Sequence, residues 1–189
     1  AAVAPGDIET GKRTFKDAEG DAQFSYIDLT TLEVESTAEE VIARIELLGL
    51  SNSLDFDSPN IRDGQLEYEW GVLFDVDGSG DISVGDVSLE VSNYRFDDET
   101  QKLAPILDEK QHDVWLHYYN ETYKVIGSRS ISDPRVSITD NVLELRATRA
   151  DAPALYEIDN NTPVRFRALH RVSDTDLYED LFPEKGFAR

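Results

Sequence analysis

The residues best placed to do chemistry run Asp75-Val76-Asp77-Gly78-Ser79-Gly80-Asp81-Ile82-Ser83-Val84-Gly85-Asp86. Oxygen-bearing residues stand at positions 1, 3, 5, 7, 9 and 12 of this stretch: Asp75, Asp77, Ser79, Asp81, Ser83 and Asp86. Hard oxygen ligands at that spacing, the seventh serving through its backbone carbonyl, wrap a calcium ion. The sixth position must turn sharply around the ion and holds Gly80. Ile82, at the eighth, is expected to anchor the loop to the core beneath it. Ser79 offers a neutral hydroxyl where Asp or Asn is usual, and Asp86 is shorter than the bidentate Glu usual at the end. Both changes point to modest affinity for Ca2+, with Kd on the order of 10⁻⁶–10⁻³ M. The competing reading is an acidic, glycine-rich turn that binds nothing. It fits less well, because a plain hairpin connection takes about two to five residues.

The stretch Asp75–Asp86 resembles the calcium loops of the EF-hand and dockerin families, over those twelve residues only. The resemblance implies calcium held within the loop. Both families place helices after the loop, whereas the flanking segments here alternate with a period of two. No second copy of the loop occurs, so the cohesin binding of dockerins does not carry over. A second acidic group, Asp17-Ala18-Glu19-Gly20-Asp21 with Asp28 following, leads into Tyr26-Ile27-Asp28-Leu29-Thr30. This opening is similar to that of jelly-roll domains appended to secreted bacterial carbohydrate enzymes. It makes Asp17, Glu19, Asp21 and Asp28 a candidate second metal site, against the plainer reading of a solvated acidic turn. Asp174, Asp176 and Asp180 are read in the same way.

Trp115, Tyr118, Tyr119 and Tyr123 are close in sequence and are candidates for a ligand-binding platform, since aromatic faces pack on the apolar faces of sugar rings. Core packing is the competing use of such residues. The case for an enzyme is poor. His112, His117 and His170 show no zinc spacing, and no Gly-x-Ser-x-Gly elbow or phosphate-binding glycine loop is present. Carboxylate pairs of the glycosidase kind cannot be picked out by sequence among 39 acidic residues.

Composition narrows the partners. The formal net charge is −21, from 39 acids against 18 bases. That sign opposes nucleic-acid phosphates and anionic lipid, and favours cation uptake. There are no cysteines, which excludes disulfides and thiolate metal sites. No apolar run is long enough to insert in a membrane as a helix. The opening Ala1-Ala2-Val3-Ala4-Pro5 reads as a mature end, so a secreted or cell-surface protein is expected.

These residues must be positioned by strands. Val41, Ala43, Ile45 and Leu47 share one face, as do Leu66, Tyr68, Trp70, Val72 and Phe74 in the segment entering the loop. Val87, Leu89 and Val91 share a face in the segment leaving it. Strands are also expected around Leu29–Val34, Asp113–Tyr119, Thr122–Gly127, Val142–Ala147 and Val164–Val172. Thr37 followed by Glu40 imitates a helical capping box, but alternation favours a strand there. The expected fold is all-β: one two-sheet β-sandwich over residues 1–189, a jelly roll, with a calcium loop between two strands and with 1–6 and 183–189 frayed. The expected function is a secreted, calcium-binding, non-catalytic module that binds a polysaccharide or glycan. A structural or adhesive surface module and a glycoside-processing enzyme are the alternatives.

Overall fold

The computed structural model describes residues 8–50, 67–92, 94–97, 102–105, 113–119, 122–128, 135–173 and 175–189. The described residues fold into two packed antiparallel sheets with almost no helix. One sheet holds five strands in the order β1-β2-β3-β11-β10. These are β1 (Gly11–Lys16), β2 (Leu29–Ser36), β3 (Glu40–Leu47), β10 (Val136–Thr139) and β11 (Val142–Thr148). The other holds six, in the order β13-β12-β4-β5-β8-β9. These are β4 (Tyr68–Phe74), β5 (Val87–Ser92), β8 (Asp113–Tyr118), β9 (Thr122–Ser128), β12 (Val164–Arg171) and β13 (Leu177–Phe182). A two-stranded ribbon, β6 (Tyr94–Asp97) with β7 (Lys102–Pro105), lies between β5 and β8 in the chain.

Alternation explains the packing. The inward faces carry Val41, Ala43, Ile45 and Leu47 from β3 and Tyr68, Trp70, Val72 and Phe74 from β4, all within one buried cluster. Val87, Leu89 and Val91 of β5 and Val164, Phe166 and Ala168 of β12 join them. Fully burying such side chains is worth roughly 1.5–3 kcal/mol each, which makes this face the main source of cohesion. Trp70 also satisfies its indole N–H, which donates to Tyr26 O at 2.7 Å. Leu66 lies outside the described residues.

The expected two-sheet β-sandwich is present, and neighbours within a sheet are mostly consecutive strands. The returns are β11 beside β3 and β12 beside β4. Short turns enforce this: the two residues Asp140-Asn141 join β10 to β11, with Asp140 at φ 53, a conformation Asp tolerates. The segment 183–189 is not frayed, because Val164 and Ala188 exchange backbone hydrogen bonds of 2.9 and 2.8 Å. Ile82 does not reach the core; it is 51% exposed on the loop. Residues 1–6 lie outside the described set. Thr37 caps a turn rather than a helix, its Oγ1 accepting from the N–H groups of Glu39 and Glu40 at 3.2 and 2.9 Å.

Candidate functional site

The twelve-residue loop closes the hairpin between β4 and β5, directly above the paired residues Phe74 and Val87. The strand ends deliver its first and last acids: Asp75 follows β4 and Asp86 precedes β5, and both are buried. Both ends are tied down, Asp75 N–H donating to Pro163 O at 3.0 Å and Tyr119 N–H to Asp86 O at 3.1 Å. Asp75, Asp77 and Asp86 each present a carboxylate oxygen, all within 4.8 Å of one another. Gly80 takes φ 82, the left-handed turn expected of the sixth position.

Hydrogen bonds pre-shape this cage. Asp75 accepts from the N–H groups of Ser79 (3.1 Å) and Gly80 (3.0 Å). Asp86 accepts from those of Val76 (2.9 Å) and Ser83 (2.8 Å). Ser83 Oγ donates to Asp77 at 2.7 Å. Ser79 Oγ instead donates to the carbonyl of Asp81 at 2.8 Å. The Asp81 carboxylate lies outside the triad, as suits a position that ligates through its backbone. Hydrogen bonds from Ser83 and then Ser79 pull the Asp77 carboxyl down to about 2. Burial, and then repulsion from Asp75 and Asp77, pushes Asp86 up. An all-oxygen, acidic donor set suits a hard cation.

A second group gathers residues that lie far apart in the sequence. Asp17, Asp21 and Asp180 bring carboxylate oxygens within 4.8 Å of one another. Of the four residues expected here, Asp17 and Asp21 are in the triad. Asp28 is buried and accepts from Gly20 N–H at 2.9 Å, shaping the turn, while Glu19 is exposed. Asp180, from β13, takes the third place and accepts from Leu29 N–H at 2.9 Å. Burial, reinforced by Asp17, Asp21 and Asp28, pushes its carboxyl up to about 6. Asp176 is occupied locally by Ser173, and Asp174 lies outside the described residues.

The four candidate aromatics separate. Trp115 is buried, 2% exposed, opposite Glu90 on the outward-facing side of the six-stranded sheet. Tyr118 and Tyr123 lie on β8 and β9 with side chains outside the description. Tyr119 stacks on His117, with ring centroids 4.5 Å apart.

Tyr119 also lines a cleft of about 210 Å³ that the sequence reading missed. It sits on the outer face of the six-stranded sheet. Strand pairing sets Arg167, Gly71, Glu90 and Trp115 in one row across β12, β4, β5 and β8. Gly71 makes the trough: a Cβ there would meet Glu90 Cγ at 2.8 Å. Glu90 accepts from Ser88 Oγ and lies 3.5 Å from His117 Nδ1. Arg167 Nε donates to Glu179 at 3.1 Å. Glu69, diagonal to Glu90, is pushed up to about 8, by burial first and then by Glu90. Burial and then Glu90 likewise push Tyr119 up to about 12. Ile82 of the acidic loop completes the lining. A perturbed acid set among charged side chains in a cleft marks a site able to hold polar ligands. The outward parity of Glu69, Glu90 and Arg167 was legible in the strands, but their meeting depends on a strand order that places β12 beside β4.

No protein-family model matches the sequence, and searches of curated proteins and of solved structures gave no significant match.

Proposed function

We propose that this chain is a calcium-binding β-sandwich module of an extracellular or cell-surface protein, acting by binding a carbohydrate rather than by catalysis. The observation that carries the metal reading is the convergence of Asp75, Asp77 and Asp86 at the ends and turn of one loop. Their spacing is that of a calcium loop, and flexible oxygen ligands favour calcium over the smaller, strictly octahedral magnesium. The role is structural, since rigid strands flank the loop and no helix pair is there to open. Asp17, Asp21 and Asp180 are the candidates for a second ion. Calorimetry on chelator-stripped protein tests the reading: calcium should give binding heat at millimolar concentration or below, and magnesium much less. No calcium heat sinks it. A glycan array separates a carbohydrate-binding module from a purely adhesive one.

The glycoside-processing alternative draws support from one observation, the raised Glu69 beside Glu90 in the cleft. A protonated acid next to a carboxylate is the pairing that glycoside hydrolysis uses. Release of reducing sugar from a polysaccharide panel, abolished in Glu69→Gln, would favour it.

A further inference from the structure

We propose that the outer-face cleft takes one neutral, hydroxyl-bearing ring, a pyranose unit, and that the calcium loop forms its wall through Ile82, so that binding requires the metal. This rests on the carbohydrate reading above and locates it. The ligand class follows from the lining. Two guanidinium groups, Arg165 and Arg167, stand with the carboxylates of Glu90 and Glu179, so the fixed charges largely balance. Donors and acceptors interleaved in this way match sugar hydroxyls, which both give and take hydrogen bonds. The Arg165 guanidinium, held by its Nη2 donating to Glu184 O at 3.1 Å, is among the groups that line the cleft. An anionic ligand would face a chain of net charge −21.

The other half of the lining is apolar. Leu73, Leu181, Ile82 and the ring of Tyr119 offer surface for the C–H face of a ring. At about 210 Å³ the cleft suits a single ring rather than a drug-sized ligand.

Ile82 gives the coupling. It stands between Asp81 and Ser83 in the acidic loop, and with Val84 it accounts for two of the four exposed large hydrophobics among the described residues. An apolar side chain held in water on the acidic loop, and lining the cleft, is placed to meet a ligand. Without a cation, repulsion among Asp75, Asp77 and Asp86 loosens the loop that carries it.

The test is saturation-transfer NMR with the methyl glycosides of glucose, galactose, mannose and xylose, and with methyl glucuronide as the charged control. The 189-residue chain is used, calcium-loaded or chelator-stripped. At least one neutral glycoside should show transfer in the loaded protein and lose it on stripping. Arg167→Ala should weaken that binding roughly tenfold or more, the usual cost of losing a charged hydrogen-bond donor. Ile82→Ser should weaken it severalfold in calcium-loaded protein, with wild-type circular dichroism showing that the variant is folded. Transfer to none of the neutral glycosides overturns the proposal, as does a preference for the glucuronide. Full binding in Arg167→Ala, or on a glycan array alone, moves the sugar elsewhere; the carbohydrate reading then stands and the cleft assignment falls. Binding indifferent to chelation removes the coupling through Ile82.

Discussion

At the scale of single residues, the loop hydrogen bonds rank the ligands. Asp75 is buried, carries formal charge and organises the turn through Ser79 and Gly80, whereas the Ser79 hydroxyl is engaged with the carbonyl of Asp81. Asp75→Ala should therefore abolish calcium heat at this site, and Ser79→Ala should weaken it by no more than about tenfold, because water can replace a neutral ligand. Equal losses in calorimetry would refute that ranking. Glu69 allows a pH prediction. Its carboxyl is raised from 4.5 to about 8 in the folded protein, so the folded state holds a proton that the unfolded chain has released. Stability from this group is therefore present below 4.5 and is lost as pH rises towards about 8. Glu69→Gln should flatten the fall in urea midpoint across that window; an unchanged slope would assign it to other acids. The meeting of Asp75, Asp77 and Asp86 was legible because they fall within twelve consecutive residues. The partnership of Asp17 and Asp21 with Asp180 was not, because a β13–β12 hairpin and the packing of the N-terminal turn bring them together.

At the scale of elements, alternation revealed the strands that are buried on one face, and of the four edge strands it found β9 and missed β1, β10 and β13. β3, β4, β5 and β11 carry unbroken inward apolar residues and were expected, whereas β1 (Gly11–Lys16) and β13 (Leu177–Phe182) are edge strands with mixed faces. The tail after β13 was also missed, since its order comes from backbone pairing with Val164 and not from apolar side chains. That tail runs near the acidic loop. Arg165 Nη2 donates to Glu184 O at 3.1 Å, and Gly186 lies beside the carbonyl of Gly80, which a Cβ on it would approach to 3.8 Å. The tail thus passes close to the turn of the loop. Deleting residues 184–189 should leave the β-sheet circular dichroism intact and weaken calcium binding several-fold, mainly through faster release. Unaltered calcium affinity in the truncated chain would show that β4 and β5 alone hold the loop in shape.

At the scale of the whole molecule, the charge of −21 gives added salt two separate ways to stabilise the fold. Screening weakens general repulsion and depends on ionic strength alone, so calcium chloride and matched sodium chloride should share it. Site binding adds RT ln(1 + [L]/Kd), about 2.7 kcal/mol at a hundredfold excess over Kd, provided the unfolded chain binds poorly. That condition is met if the acids converge only on folding. Asp75 and Asp86 are brought together by the pairing of β4 with β5, and Asp180 meets Asp17 and Asp21 across most of the chain. Calcium should therefore raise the melting temperature well beyond matched sodium chloride. Asp77→Ala should lose much of the calcium-specific gain and keep the screening response. Asp180→Asn, which removes the charge while nearly preserving shape, should remove any share due to the second triad. If Asp77→Ala keeps the full gain and Asp180→Asn loses it, the stabilising ion sits between the N-terminal turn and β13. If both keep it, neither triad holds the ion that stabilises the fold.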